Sequence, residues 1–194
     1  MENTKKKMFL VVALSVILIS LLVVVAFFLP YASAKADYRK ILENFPQQIY
    51  MQEIGMTNAD AMDISLLEFA RVYGAFAESS GQIGAVGTIV VVMISLVGLF
   101  SLLTLIFAAL RKPIVILIFN CLTFGTVYLL SWDFQDRGAL PNNSYDFGMA
   151  YYIYYIGAAL ILAGAICMLV MKIQEKKQKK VSEISDTQKV KENV

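Results

Sequence analysis

Four long runs without a charged residue constrain the fold of this chain more than any other feature of its sequence. The runs cover about residues 8–30, 83–110, 113–131 and 150–171, and none contains Asp, Glu, Lys, Arg or His. A helix needs roughly 17–25 apolar residues to cross the hydrocarbon core of a bilayer. Inside lipid a segment must satisfy its own backbone hydrogen bonds, which selects helices. The sequence therefore predicts an all-α integral membrane protein with four transmembrane helices.

Composition leaves room for one membrane domain and little else. Of the 194 residues, 58% are hydrophobic and 16% are charged, whereas soluble domains carry about 25% charged residues. We therefore expect residues 1–180 to form a single four-span domain. Residues 181–194 combine lysines and acidic residues without an apolar period, which predicts a disordered cytoplasmic tail.

The distribution of charge predicts the orientation of the spans. The N-terminal tail carries +2, the Arg111-Lys112 connection +2 and the chain from Lys172 onward +3. By contrast, residues 31–82 carry −3 and residues 132–149 carry −2. Connections rich in Lys and Arg stay on the cytoplasmic side. Both termini are therefore expected in the cytoplasm, the two acidic segments outside it, and the protein in the cell membrane.

The connections also predict how the helices are arranged. Only Arg111 and Lys112 separate the second run from the third, which demands a tight antiparallel hairpin, and Pro113 suits the first turn of the helix that follows. In the last run, Gly157 and Gly164 lie seven positions apart, as small residues do where helices approach closely in lipid. We expect an antiparallel four-helix bundle, with such contacts made within one chain or between copies.

The first run has a second interpretation. It is followed by Ala32-Ser33-Ala34, and small residues of this kind mark the cleavage site of a secretory signal, so residues 1–34 form a candidate signal peptide. The uncharged stretch Met8–Leu29 is 22 residues long, whereas the apolar region of a signal has roughly 7–15. The length favours a retained span.

A short amphipathic helix is predicted soon after the first span. Tyr38, Ile41, Leu42 and Phe45 recur at helical spacing with polar residues between them, which predicts an apolar stripe along one face. Pro46 ends the helix, since a proline inside a helix removes a backbone hydrogen bond.

A second helix is predicted at Leu66–Ala77. Ser65 and Glu68 have the spacing of a capping box, in which each side chain bonds the backbone N–H near the other. The two helices, joined by a turn, predict a small helical extracytoplasmic cap over residues 31–82. Its apolar side chains either pack against one another and the bundle or form a docking surface. With the aromatic residue that opens the other outer segment, the candidates for interaction are Ile41, Phe45, Leu66, Phe69, Phe76 and Trp132.

The sequence offers little for catalysis. It contains no His, which removes the commonest general base and a frequent metal ligand. Carboxylates occur in the outer segments, but no spacing places two of them on one substrate. We therefore expect a non-enzymatic protein with no cofactor or metal site, and the net charge of only +2 predicts no nucleic-acid partner.

Two polar features of the membrane region remain. Asn120 lies inside the third span, where an amide needs a partner on another helix. It is either a packing contact or, together with hydroxyl groups, the lining of an oligomeric channel or transporter component.

A basic cluster directly follows the fourth span and is expected to attract anionic lipid, by about 1 kcal/mol per Lys, besides its effect on orientation. The cluster consists of Lys172, Lys176, Lys177, Lys179 and Lys180.

These features favour one functional hypothesis. The chain is interpreted as an accessory, assembly or interaction subunit that acts through its extracytoplasmic cap on a membrane-protein partner or on a second copy of itself. The channel or transporter component lined by Asn120 is the alternative. The sequence predicts no partner by name.

Overall fold

The structure is a computed structural model that describes residues 2–78 and 82–192. The chain is mostly helical, and four helical segments are long and apolar enough to cross a membrane, which confirms the predicted number of such helices. These segments are Lys7–Phe28, Ile83–Ala109, Pro113–Asp136 and Met149–Gln178.

Each of the four long helices packs against two of the others. They are α1 (Glu2–Val25), α5 (Gln82–Ala109), α6 (Pro113–Asp136) and α7 (Met149–Glu192). Helix α1 packs on α5 and α7, and α6 packs on the same two helices. Three helices differ in length from the prediction. Helix α1 begins at Glu2 and ends at Val25, whereas the predicted first span covers residues 8–30. Helix α6 continues to Asp136, five residues beyond the predicted end of the third span.

The tail predicted to be disordered continues helix α7. The helix includes residues 181–192, and residues 193 and 194 lie outside the described part of the chain. Lys, Gln and Glu are good helix formers even where no apolar face is buried. A helix that has already begun in the membrane segment extends through such residues without a new nucleation step.

The interface between α1 and α7 is built on two glycines. A Cβ atom added to Gly164 would lie 2.4 Å from Val16 Cγ2, and one added to Gly157 would lie 2.6 Å from Val23 Cγ2. Val16 is 1% exposed. Each valine therefore occupies the space that a side chain at the opposing glycine would need, and this contact lies within the chain. Close approach of this kind is the main source of helix association in lipid.

The turn between α5 and α6 ends the first helix with a Schellman motif. The Lys112 N–H donates to the Phe107 carbonyl over 3.1 Å, and the Arg111 N–H donates to the Ala108 carbonyl over 2.9 Å. Arg111 has a φ of 54°, the left-handed conformation that glycine adopts without cost at this position. For a residue with a Cβ atom, this left-handed conformation costs roughly 1–2 kcal/mol.

The remaining elements form a cap at one end of the long helices. Its helices are α2 (Ala36–Asn44), α3 (Asn58–Ala61) and α4 (Leu66–Ala77). Both predicted helices are confirmed, and the capping box of Ser65 and Glu68 is present in both directions. A second capping box, formed by Thr57 and Asp60, starts α3.

The cap is not purely helical, which corrects the all-α prediction. Two small antiparallel sheets join its segments, and the strands are β1 (Pro30–Ala34), β2 (Ile49–Met51), β3 (Met56–Thr57), β4 (Asp63–Ser65) and β5 (Tyr145–Phe147). Strand β1 is central in the order β4-β1-β5, with Ala32 opposite both Ile64 and Phe147. Each strand is too short for an alternating pattern to be recognised in the sequence.

Gly164→Ala is expected to destabilise the protein, because the added methyl group meets Val16 and a β-branched side chain in a helix has little freedom to turn away. Overpacking of this kind costs typically about 1–3 kcal/mol. Gly125→Ala is the matched control, since a Cβ there meets nothing within 4 Å and Ala favours the helix by about 1 kcal/mol. Thermal unfolding in detergent measures both. Equal melting temperatures for the two variants would contradict the interface.

Candidate interaction surface of the cap

Tyr31 is the centre of the cap. Its side chain is 0% exposed, and its hydroxyl lies 2.8 Å from Ser131 Oγ. Ser131 donates its own hydrogen to the Val127 carbonyl, so Tyr31 is the donor in the bond between them. The ring makes edge-to-face contacts with rings from four other elements, at centroid distances of 6.0–6.4 Å. Those rings belong to Phe69, Phe134, Phe147 and Tyr151.

Burial also fixes the protonation state of this group. Burial raises the pKa of the Tyr31 phenol far above its usual range, although the hydrogen bond to Ser131 acts in the opposite direction. The phenol therefore stays neutral, so its O–H remains available to donate to Ser131 Oγ.

A cation closes the aromatic cluster at the end of α6. The Arg137 guanidinium carbon lies 5.5 Å from the centre of the Tyr73 ring and 5.9 Å from that of Phe134. Asp133, one helical turn earlier, accepts from Arg137 Nε over 3.1 Å. The carboxylate orients the guanidinium over the two rings, a favourable position for a cation, and so links α4 to the end of α6.

Polar side chains connect the strands at the surface. Asp63 accepts from Ser33 Oγ over 2.7 Å and from the Arg39 guanidinium over 2.6 Å. Lys35 donates to the Asn142 carbonyl over 2.7 Å and lies 3.4 Å from Asp146. These groups are partly exposed, so each ion pair contributes only about 0–1 kcal/mol. Their effect is to fix the alignment of β1 between its two neighbours.

Three tyrosines form a second cluster beside α2. The Tyr145 hydroxyl donates to the Ala61 carbonyl over 2.8 Å, and the Tyr50 hydroxyl lies 3.5 Å from the hydroxyls of Tyr38 and Tyr145. Burial raises the pKa of Tyr38 to about 12 and raises the pKa of Tyr145 beyond the ordinary range. Tyr38 and Tyr145 therefore stay neutral near pH 7 and keep their hydroxyl hydrogens for hydrogen bonds.

The cap also contains a small open pocket of about 90 Å³, lined by Ile54, Gly55, Met56, Asp60, Glu68 and Arg71. Its charged groups have local partners. Glu68 accepts from the Ser65 N–H over 2.7 Å, and Arg71 donates to the Ile54 carbonyl over 2.9 Å. Hydrogen bonds from the Thr57 backbone and side chain hold the pKa of Asp60 below its usual value. The lining therefore stabilises the starts of α3 and α4.

The predicted interaction residues divide into two groups. Leu66 is 0% exposed and Phe69 is 9% exposed, so both belong to the core. Ile41, Phe45 and Trp132 are 61%, 66% and 57% exposed, and Phe76 is intermediate between the groups at 40%. The packing interpretation is therefore confirmed for Leu66 and Phe69, and the docking surface stays a prediction for the exposed residues.

Two further exposed apolar residues were missed by the sequence reasoning. Ile49 is 60% exposed and Tyr50 is 42% exposed, and both lie in β2. No helical period includes them, and an isolated apolar residue in a connecting segment gives no signal of exposure. With Ile41 and Phe45, they place four exposed apolar side chains within residues 41–50. We call residues 41–50 the α2–β2 segment.

The backbone that carries the α2–β2 segment is well connected. The Phe45 carbonyl accepts from Asn58 Nδ2 over 2.9 Å. The Asn58 N–H donates to the Gln48 carbonyl, also over 2.9 Å, and Leu42 is buried beneath the segment. The exposed side chains therefore project from a fixed frame.

Asn120 is used for helix packing. Its side chain is 4% exposed, and Nδ2 donates to the Ala158 carbonyl on α7 over 3.0 Å. Nearby hydroxyls bond the carbonyls of their own helices, as Thr104 does to Phe100 and Thr123 does to Phe119. These bonds satisfy the hydroxyls of Thr104 and Thr123 within their own helices.

Comparison with known proteins adds no assignment: no protein-family model, curated protein or solved structure matches this chain.

Tyr31→Phe is expected to lower the free energy of unfolding by about 1 kcal/mol, because one buried hydrogen bond is lost. Tyr31→Ala should cost about 3–5 kcal/mol, since it also empties the centre of the aromatic cluster. A double-mutant cycle with Ser131→Ala, read by thermal or denaturant unfolding, isolates the hydrogen bond. A coupling energy of zero would show that the bond does not stabilise the cap.

Gly148→Ala is expected to disrupt the junction of β5 and α7. The added Cβ would lie 2.3 Å from the Pro30 carbonyl oxygen, and the Gly148 N–H donates to the Tyr31 carbonyl over 2.8 Å. A backbone obstacle cannot rotate away, so the cost should reach or exceed the roughly 1–3 kcal/mol typical of overpacking. Gly74→Ala, where a Cβ meets nothing within 4 Å, serves as the control. Limited proteolysis should cleave the cap faster only in Gly148→Ala.

Proposed function

We propose that this protein is a four-span protein of the cell membrane, with antiparallel helices, both termini in the cytoplasm and the cap outside. The four apolar helices and the positive charge at the end opposite the cap support this topology. The pairing of Val16 with Gly164 and of Val23 with Gly157 supports opposite directions for α1 and α7. The position increases along one helix as it decreases along the other.

We further propose that the protein is a non-enzymatic accessory or assembly subunit that binds another membrane protein through the α2–β2 segment. The observation that carries the proposal is the exposure of Ile41 and Phe45, at 61% and 66%, on a backbone fixed by Asn58. Apolar side chains grouped on a soluble surface mark binding sites more often than isolated ones do. Because the frame is ordered, binding would immobilise little additional backbone.

The rest of the cap suits this role. Its core holds Leu66 and Phe69, so the exposed apolar side chains are not needed for stability. The cap is also connected to α1 through β1, to α5 through α4 and to α7 through β5. The cap also contacts α6 through the bond between Tyr31 and Ser131. A partner bound at the α2–β2 segment would therefore be held at a defined position relative to all four long helices.

Ile41→Glu combined with Phe45→Glu should abolish partner capture while the protein still folds, because both side chains are mostly exposed. Gln47→Glu with Gln48→Glu is the matched control, since it adds the same charge to exposed positions without removing apolar area. Crosslinking in cells, followed by isolation in mild detergent, should lose the partner band at least tenfold only in the first variant.

The same experiment separates the two classes of partner. A crosslinked product at twice the mass of the chain identifies a second copy, and a product of different mass identifies another membrane protein. The proposal is abandoned if the wild-type protein yields neither product, or if both double variants retain it equally.

A further inference from the structure

The end of the bundle opposite the cap carries a concentrated positive charge. Three separate parts of the chain meet there: the start of α1, the turn between α5 and α6, and α7 after its apolar segment. Lys172 Nζ donates to the Arg111 carbonyl over 2.5 Å and lies 5.8 Å from the centre of the Phe9 ring. One lysine thus brings all three parts together.

The Lys172 side chain makes both of these contacts, whereas the side chains of the other cations at this end make none of this kind within the described residues. Lys7, Arg111, Lys112, Lys176 and Lys177 are all exposed, and none forms an ion pair with another residue in the described part of the chain. Residues four apart share one face of a helix. Lys176 therefore lies on the face from which Lys172 reaches the turn.

The turn keeps a cation where the backbone favours glycine. Arg111 occupies the left-handed position of the Schellman motif with a φ of 54°, and its side chain makes no hydrogen bond within the described residues. Its backbone N–H donates to the Ala108 carbonyl and its backbone carbonyl accepts from Lys172. A cation next to the C-terminus of α5 is favourable for the helix dipole, and a guanidinium without a partner among the described residues is also available to a negative group outside the chain.

We propose that Arg111, Lys112 and Lys176, supported by Lys7, form a binding site for the headgroup of an anionic phospholipid. This proposal rests on the membrane insertion and orientation proposed above. Lys7 directly precedes the uncharged run of α1, Arg111 and Lys112 separate the runs of α5 and α6, and Lys176 follows Met171, the last residue of the uncharged run in α7. In the proposed topology, lipid phosphates lie at this level. Guanidinium and ammonium groups both bind phosphate, the first through paired N–H donors.

The structure changes the set of lysines expected to meet lipid. Lys172 positions the site with one of its three N–H donors, which bonds the Arg111 carbonyl. Lys177 is exposed beside the site, and the side chains of Lys179 and Lys180 lie outside the described residues. Arg111, Lys112 and Lys7 are added because the fold brings them next to α7, which their distance in sequence conceals.

The test uses the purified full chain in mild detergent and compares phosphatidylglycerol with phosphatidylcholine of the same acyl chains. Native mass spectrometry counts the lipid molecules that each protein retains. Each cation near a membrane surface strengthens attraction by about fivefold. Lys112→Gln should therefore weaken phosphatidylglycerol binding about fivefold, and Lys112→Gln with Lys176→Gln about 25-fold, with phosphatidylcholine unaffected. Higher salt should reduce the preference.

Two further variants separate binding from folding and from total charge. Arg111→Gly should keep or raise the melting temperature, since glycine suits the left-handed position, and should still weaken phosphatidylglycerol binding about fivefold. Lys40→Gln removes one exposed charge from the cap and should change nothing. Equal retention of the two lipids by the wild-type protein, or an undiminished preference in the double variant, overturns the proposal. So does binding of an acidic peptide in preference to phosphatidylglycerol.

Failure of this proposal differs from failure of the proposed function. If the chain is not recovered in the membrane fraction, the topology itself is wrong, and both proposals fall. If it is recovered there and the cap captures no partner, the lipid measurement still decides the headgroup site by itself.

Discussion

The burial of Tyr31 is the contact on which the arrangement of the cap depends. Its strand, β1, leaves α1 and immediately becomes the centre of a sheet whose outer strands come from two different segments of the chain. The ring fills the space between α4, α6 and α7, and the hydroxyl bonds a serine inside α6. Burying a ring of this size contributes roughly 1.5–3 kcal/mol. One residue therefore joins sheet, helices and spans, so that the cap and the bundle share a core.

The two halves of the molecule are held together by different physics. Between α1 and α7 the important residues are glycines, because Val16 and Val23 occupy the space beside Gly164 and Gly157. In the cap, aromatic rings and backbone pairing dominate, since burial from water is favourable there. Gly148 lies where the two regimes meet, and its missing side chain lets the start of α7 reach the carbonyl of Pro30. Small residues thus set distances on both sides of the junction.

The sequence predicted the helices and missed the sheets for a clear physical reason. The long spans, the α5–α6 turn and the capping box at Ser65 are local patterns, and local patterns can be read without the fold. The pairing of Ala32 with Phe147 joins distant residues in strands too short to show a period. For the same reason, only part of the α2–β2 segment was predicted as a candidate surface: Ile41 and Phe45 were, and Ile49 and Tyr50 were not. The stripe of α2 was visible, but only the fold shows that Leu42 faces the core while Ile41 and Phe45 stay exposed.

The exposed apolar groups of the cap and the exposed cation at the opposite end have one property in common: neither is needed for folding. A folded chain retains apolar surface in water, or a cation in a left-handed turn, only where stability elsewhere is sufficient. At the cap, Leu66 and Phe69 supply the core that leaves Ile41 and Phe45 unneeded for folding. At the opposite end, the Schellman hydrogen bonds and Lys172 hold the turn, so Arg111 need not be glycine. In both places one set of residues fixes the backbone and another set is exposed. A binding surface needs this arrangement, because supporting residues must hold the contacting side chains in position.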